Sequence, residues 1–210
     1  MTAESAAAAA GSGLRVLALL RSGWGRGLPE GWRLVEAGPV AAAVRAAGDG
    51  AGGWRTHARR VESLVREVPL VPVPPGVRAR DRQAVRTFLE RARLPLLEAL
   101  DLCEGCWELR VHLSSGSARG GHAGEGVGSA PGAGVGETAG AARELHRALR
   151  RRSRAVRRLP SGDRGRRSCA YLVARPRWIG FVEEAARREG AVPGLAVDVT
   201  GPWAPWDFVR

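Results

Sequence analysis

Two cysteines, Cys103 and Cys106, have the two-residue spacing of a zinc half-site or of a redox-active pair. A structural zinc ion needs four ligands, but the other possible donors are scattered along the chain. These donors are Cys169, His57, His112, His122 and His146. A thioredoxin-like pair would begin a helix that follows a strand, whereas a helical pattern precedes these cysteines and a strand pattern follows them. We therefore interpret the segment as a turn.

No other group of side chains predicts catalysis. The four histidines lack the HExxH spacing of a zinc protease, and no serine lies in a GxSxG turn between a strand and a helix. The glycine-rich stretches neither end in Gly-Lys-Ser/Thr nor lead from a strand into a helix, so they predict no phosphate-binding loop. We therefore expect a protein that is not an enzyme and that binds no metal ion and no cofactor.

The composition predicts a folded protein that does not span a membrane. Of its 210 residues, 44% are hydrophobic and 26% are charged, which is enough apolar content for one domain or two small ones. Arginine interrupts every apolar stretch before it reaches the ~18 residues that a membrane helix needs. Residues 1–13 carry no cation before their alanine run, unlike a secretory signal, and three cysteines suit a reducing compartment. We expect a cytoplasmic location.

Nearly all of the net charge of +12 lies in one segment. Residues 143–177 contain thirteen arginines and two acidic residues, and a helix is predicted over the first half of this segment. Clustered arginine on a helix is typical of nucleic-acid binding, but it also suits an acidic protein partner or a solvated face. All 33 basic residues are arginine, as in proteins of GC-rich genomes, and aromatic residues for base stacking are sparse. We favour the solvated face over nucleic acid, and the candidate partner-binding residues here are Arg150, Arg151 and Arg154.

Residues 14–113 are predicted to form an N-terminal α+β domain. Leu14–Leu20 is an apolar run bounded by glycine and serine, and Trp32–Glu36 could pair with it across the glycine-rich turn at residues 23–31. Residues 107–113 alternate apolar and polar side chains, which predicts a third strand. The proline-rich stretch 69–76 is predicted to be an extended connector.

Two helices are predicted between these strands. Apolar side chains at three-and-four spacing begin at Trp54 and stop before Pro69, so the first helix should lay this apolar face on a sheet. The second helix should begin after Asp81 as its N-cap, bury Phe88 among other apolar residues and end near residue 100. Pro95 should kink this helix or divide it in two.

The rest of the chain predicts a second α+β domain after a linker. Residues 1–13 are expected to be disordered, and residues 114–140, with ten glycines, are expected to be a flexible glycine-rich linker. Residues 141–210 are expected to form the C-terminal domain with an aromatic tail. Its predicted elements are a helix over 141–159, a strand over 168–174, a helix from 178 to about 190 and a strand over 195–199.

The last ten residues, GPWAPWDFVR, contain three large aromatic side chains in a chain that is only 5% aromatic. Two prolines stiffen this tail, so its aromatic side chains lose little conformational freedom when they are buried. We expect Trp203 to fill the core of the second domain, and Trp206 and Phe208 either to fill that core or to anchor a partner.

Several motifs of this chain resemble those of the GvpF/GvpL family of gas vesicle proteins. The family ends in a Gly-Pro-Trp-Pro-Pro-Tyr-like stretch followed by Phe, and this chain departs from it at Ala204 and Trp206. Further resemblance lies in Ala170-Tyr171-Leu172-Val173, in His57 and the helix around it, in Arg86–Leu100 and in Gly105-Cys-Trp-Glu108-Leu. Residues 69–76 depart from the Leu-Pro-x-Arg-Phe-Gly-like sequence that the family tends to carry there, which indicates a divergent member.

The resemblance implies a non-enzymatic minor protein of gas vesicle assembly. It implies two α+β parts, the first of a modified ferredoxin-like kind, here joined by the glycine-rich linker. Members of this family associate with the small hydrophobic shell protein and with other gas vesicle accessory proteins, so these are the expected partners. The expected location is the cytoplasm and the gas vesicle. The alternative function is arginine-mediated binding of nucleic acid.

Overall fold

A computed structural model shows a mixed α+β fold with two sheets and five helices in the part of the chain that it describes. The described residues are 13–24, 28–48, 53–115, 134–160, 166–192 and 194–209. The chain divides into two compact units, of which the first comprises Met1–Gly105 with Trp203–Arg210 and the second comprises Cys106–Pro202.

The described part of the chain contains strands and helices with the following bounds. The strands are β1 (Leu14–Arg21), β2 (Arg33–Ala37), β3 (Val40–Ala46), β4 (Leu70–Pro72), β5 (Arg78–Ala79), β6 (Cys106–Ser115), β7 (Ala155–Arg158), β8 (Arg166–Ala174) and β9 (Leu195–Trp203). The helices are α1 (Trp54–Val65), α2 (Arg82–Arg91), α3 (Arg93–Cys103), α4 (Gly134–Arg151) and α5 (Trp178–Ala191).

The sheet of the first unit has the strand order β2-β3-β1-β4, with β5 also pairing with β1. The predicted pairing of the first two strands is wrong, because β3 lies between them and pairs antiparallel with both. The sequence VAAAVRA of β3 is rich in alanine, which has a low strand propensity, so this strand was not predicted. Gly38 and Pro39 connect β2 to β3 in a two-residue turn, and Gly38 has the positive φ of 60° that such a turn favours.

The proline-rich stretch is not only a connector, because it contains β4. This strand of three residues pairs antiparallel with β1, with Ala18 opposite Pro72. Proline lacks the N–H group that a central strand would need, but β4 lies at the end of the strand order, where one side needs no partner. The prolines therefore place this strand at the edge of the sheet and do not prevent it from forming.

The predicted division of the second helix is confirmed. Asp81 is its N-cap, and its carboxylate accepts a hydrogen bond from the backbone N–H of Ala84 at 2.7 Å. Helix α2 ends before Ala92, and Pro95 lies in the first turn of α3, where the missing N–H group has no helical partner to lose. The prediction that Phe88 is buried is wrong: 52% of it is exposed, while Val85 and Leu89 form the buried face.

The sheet of the second unit has the strand order β7-β8-β6-β9. Strand β6 pairs antiparallel with β8 along nearly its whole length, from Cys106 opposite Ala174 to Ser114 opposite Arg166. The predicted strand over 107–113 therefore exists, but it belongs to the second unit and not to the first. The predicted domain boundary at residues 113 and 114 differs from the structure for this reason.

The core of the second unit lies on the side of its sheet that faces α4 and α5. Tyr171 on β8 and Phe181 on α5 are buried, with ring centroids 5.2 Å apart. Helix α4 contributes Leu145 and Leu149, both without exposed surface, at the four-residue spacing of one helix face.

The predicted helix over 141–159 has the wrong bounds. Helix α4 begins seven residues earlier, at Gly134, and ends at Arg151. Beyond it the chain turns, and β7 pairs with β8, with Val156 opposite Tyr171. Residues 134–140 therefore belong to a helix, and residues 114–115 belong to β6, so neither stretch is part of a linker as predicted. Residues 116–133 of that linker and residues 1–12 of the predicted disordered N-terminus lie outside the described residues.

The ferredoxin-like description of the first part stays a prediction. A ferredoxin-like unit has a helix between its first and second strands. In the described residues between β1 and β2, which are 22–24 and 28–32, the chain forms turns and irregular structure. Among the described residues of this unit, the first helix in sequence is α1, which follows β3.

A buried carboxylate holds three arginines in the second unit. Glu184 on α5 is 3% exposed and pairs with Arg187 at 2.7 Å, with Arg152 at 3.1 Å and with Arg188 at 3.4 Å. Arg152 follows α4 directly, so this network ties the end of α4 to α5. Burial alone would raise the pKa of Glu184, but hydrogen bonds and charge attraction from these arginines lower it below its ordinary value.

Candidate partner-binding surfaces

The three aromatic side chains of the tail are half-buried in the first unit. Trp203 is the last residue of β9, and from this residue onward the chain is part of the first unit. The expectation that Trp203 fills the core of the second domain is therefore wrong. Phe208 packs instead against the core of the first unit, which includes Val85 and Leu89 of α2.

Trp206 packs against helix α1 in what we term the aromatic patch, formed by Trp54, His57 and Trp206. The ring centroid of Trp206 lies 5.0 Å from that of Trp54 and 5.8 Å from that of His57. Trp54 is 51% exposed, whereas His57 is buried and Trp206 is half-buried. Trp54 therefore keeps about half of its surface exposed while its ring contacts that of Trp206.

The patch contains two buried nitrogen atoms that have no hydrogen-bond partner in the described part of the chain. They are Nε1 of Trp206 and Nδ1 of His57. The other imidazole nitrogen, His57 Nε2, lies 2.7 Å from the carbonyl oxygen of Val73. Because a carbonyl only accepts hydrogen bonds, Nε2 carries the proton and Nδ1 of the neutral ring is an acceptor.

Burial is the main cause that lowers the pKa of His57; the Val73 hydrogen bond opposes it, and the charges of Arg15 and Arg60 lower the pKa further. The neutral ring is therefore the stable form at neutral pH. Burial likewise lowers the pKa of His112 and His146 in the second unit.

Lowering the pH from about 7.5 to about 5.5 is therefore expected to reduce the free energy of unfolding. The unfolded chain binds protons near the ordinary histidine pKa of 6.5, whereas the folded chain binds them only at lower pH. The stability from neutral histidine is thus complete above this pKa and is lost as the pH falls below it. His57→Gln, whose amide can still donate to Val73, should flatten part of the pH dependence measured by urea unfolding. An unchanged slope in this variant would contradict the assignment to His57.

The three candidate arginines are exposed but do not lie on one helix face. Arg150 and Arg151 are the last residues of α4, and Arg154 lies in the turn before β7. The predicted helical surface of arginine over 143–158 is therefore divided between a helix, a turn and a strand. Two of the three candidates, Arg150 and Arg154, line a basic surface groove, and Arg151 does not.

This groove consists of two cavities of about 470 and 420 Å³ that share four of their lining residues. We term it the arginine groove. It lies between α4 and strands β7 and β8, and its arginines are Arg143, Arg147, Arg150, Arg154, Arg158 and Arg167. Sequence reasoning found the charge of this segment but not the groove, because the groove depends on β7 packing beside α4.

The cysteines and histidines do not form a metal centre in the described part of the chain, where no three or more His, Cys, Asp or Glu residues come together as ligands. Cys103 ends α3 and Cys106 begins β6, with Gly105 at a positive φ of 66° in the turn between them, as the turn interpretation predicts. Burial raises the pKa of the Cys106 thiol, which disfavours the reactive thiolate. Within the described ranges, no helix has the length and apolar character required to cross a membrane.

Comparisons with known proteins agree with the resemblance. Residues 7–118 and 135–210 match the family described as gas vesicle synthesis protein GvpL/GvpF. The crystal structure of gas vesicle protein GvpF from Microcystis aeruginosa is similar, with a TM-score of 0.74 and 12% identity, over 95% of this chain and 99% of that chain. GvpF from Anabaena sp. PCC7120 gives a TM-score of 0.72 and 13% identity, over 95% and 96% of the two chains.

At these identities the similarity to the two crystal structures shows a shared fold. Comparison with curated proteins found no match. The family match spans most of both units, including β1, the aromatic tail and both sheets. This chain therefore belongs to the GvpL/GvpF family of gas vesicle synthesis proteins.

Proposed function

We propose that this protein assists gas vesicle assembly by binding the major shell protein or other gas vesicle accessory proteins, and that it makes and breaks no covalent bonds itself. The observation that carries this proposal is the family match over both units. The family is one of gas vesicle synthesis proteins and not of enzymes. We further propose that the protein acts in the cytoplasm and at the gas vesicle.

The aromatic patch is the surface of the first unit that best suits such a partner. A shell subunit that polymerises into a water-excluding wall exposes apolar surface before assembly, which makes it prone to unproductive association. Tryptophan buries a large apolar area at a low cost in side-chain freedom and is enriched at the energetic centres of interfaces. Trp54, which is half-exposed and backed by Trp206, offers such an anchor.

The proposal can be tested in a strain that forms gas vesicles. Deleting the gene for this protein should abolish vesicles or reduce their number, as seen by electron microscopy, and re-expression should restore them. A tagged copy should co-purify with the shell protein or with accessory proteins of the same gene cluster. Normal vesicles after deletion, together with no vesicle protein in the purified complex, would refute the proposal.

Nucleic-acid binding, the alternative function, has less support. The arginines are divided among α4, a turn and two strands, so they do not form the continuous basic helix that this alternative assumes. The only tyrosine or tryptophan that lines the arginine groove within the described residues is Tyr171, which is 1% exposed and cannot stack on a base.

A further inference from the structure

The arginine groove is strongly basic. Val111, Leu113 and Ala142 also line it but are 9% exposed or less, and Nδ1 of His146 lies 2.7 Å from the hydroxyl oxygen of Tyr171. The six arginines that line the groove come from α4, β7, β8 and the turn before β7, and all six are exposed. No acidic residue lines either cavity in the described part of the chain.

The charge of this groove is not neutralised within the described residues. Five of its arginines, all except Arg154, form no ion pair with a described acidic side chain. Four other arginines of the second unit contrast with them: Arg152, Arg187 and Arg188 share Glu184, and Arg166 pairs with Asp198 at 3.3 Å. Like charges held together without counter-ions repel each other, so an anionic ligand would relieve this repulsion.

The groove also borders an open sheet edge. Strand β7, which contributes Val156 and Arg158 to the lining, is the last strand in the order β7-β8-β6-β9, and no described strand pairs with its outer side. An extended peptide can add to such an edge through its backbone hydrogen bonds while its side chains enter adjacent pockets.

We propose that the arginine groove binds an extended, acidic segment of a partner polypeptide, whose carboxylates contact the arginines. This assignment rests on the proposed function: because the protein is proposed to bind other proteins, the expected anionic ligand is an acidic polypeptide.

The spacing of the arginines fits this ligand. Arg143, Arg147 and Arg150 follow one another along one flank of α4, so they are about 4.5 to 6 Å apart along the helix axis. Alternate side chains of a strand project to the same face at about 6.7 Å, so acidic residues at every second position would meet successive guanidinium groups. A guanidinium group binds a carboxylate through two parallel hydrogen bonds, so the contact has a defined geometry in addition to the charge attraction.

The test uses a fluorescein-labelled peptide of about nine residues in which glutamate alternates with valine, at about 150 mM salt, where exposed charges are largely screened. Fluorescence anisotropy should show binding to the full chain and none for a peptide with lysine in place of glutamate. The double variant Arg147→Glu/Arg150→Glu should bind the acidic peptide at least tenfold more weakly. The matched control is Arg91→Glu/Arg93→Glu, which makes the same charge change at exposed arginines of the first unit and should change the affinity less than twofold.

Circular dichroism should show that both double variants are folded. If the groove variant does not fold, the neutral single variants Arg147→Gln and Arg150→Gln replace it, and each should weaken binding about threefold. Equal weakening by the control pair, or no binding of the acidic peptide to the wild-type chain, would overturn the proposal. Tighter binding of a single-stranded DNA of equal charge, lost with the same arginines, would assign the groove to nucleic acid instead.

These outcomes are separate from the outcome for the proposed function. If the peptide does not bind but the tagged protein still co-purifies with vesicle proteins, the assignment of the groove fails and the proposed function stands. If the peptide binds through Arg147 and Arg150 but deletion of the gene leaves vesicles unchanged, the proposed function fails and the groove is still a peptide site.

Discussion

Replacing Glu184 with glutamine is expected to lower the free energy of unfolding by about 1.5 to 3 kcal/mol, the range for losing hydrogen bonds to a charged group. We expect the lower end of this range, since the three arginines are 37 to 65% exposed and can return their charge to water. Glutamine keeps the volume of the side chain, so the change reports on charge and hydrogen bonding rather than on packing. Urea unfolding of wild type and variant at neutral pH measures the difference.

The neighbouring residue supplies the control. Glu183 is exposed and takes part in no ion pair among the described residues, so Glu183→Gln removes the same charge at nearly the same place. Its effect should be within about 0.5 kcal/mol. Equal destabilisation by the two variants would mean that the net charge matters and the network does not.

The same network predicts that the stability of the protein falls at acidic pH. The arginines hold the pKa of Glu184 below its ordinary value, which is 4.5, so the folded chain keeps this carboxylate ionised at a pH where the unfolded chain protonates it. The resulting stability is complete above this ordinary pKa and is lost as the pH falls through it towards the lower pKa of the folded state. Wild type should therefore lose more stability than Glu184→Gln between about pH 5 and pH 3.

Local sequence patterns were sufficient to predict those features that depend on neighbouring residues alone. The N-cap at Asp81 and the break near Pro95 follow from the chemistry of single side chains, and the structure confirms both. The alternation over residues 107–113 likewise predicted a strand that exists. The assignment of this strand to the first domain was wrong. Strand β6 pairs with β8, which is about sixty positions away in sequence, and an alternating pattern does not indicate which strand is the pairing partner.

Composition misled the interpretation where propensity and packing disagree. Residues 134–140 were assigned to a flexible linker because of their three glycines, yet they form the first two turns of α4. Thr138 and Ala142 are buried on one side of this helix, so tertiary packing outweighs the low helix propensity of glycine. At the C-terminal end of α4, apolar and basic residues continue a helical pattern beyond Arg151, but Val156 lies in strand β7 and packs against the core there.

The sequence left open whether the aromatic tail fills a core or anchors a partner. The position of Trp206 against α1 could not be inferred, because it depends on the chain returning to the first unit after residue 202. Trp54 was assigned to an apolar helix face packed on the sheet. Since it is the first residue of α1, it lies at the end of that face, where it is half-exposed and packs against Trp206.

Replacing Trp54 with alanine is expected to reduce co-purification of the partner protein at least tenfold while it changes the free energy of unfolding by less than about 1 kcal/mol. The indole is 51% exposed, so the folded chain loses little buried area, whereas a partner that covers the ring loses the centre of its contact. Alanine also suits the first turn of a helix, so α1 should persist. Pull-down with quantitative mass spectrometry measures the first effect, and urea unfolding measures the second.

Phe88 provides the matched control for this variant. It is an aromatic side chain of the same unit with nearly the same exposed fraction, 52%, but it lies on α2 and takes no part in the aromatic patch. Phe88→Ala should leave co-purification within twofold of wild type. If the two variants lose the partner equally, any exposed aromatic residue serves and the patch is not the contact. If neither variant loses it, the partner binds elsewhere on the chain, and the half-exposed Trp54 serves only to cover Trp206.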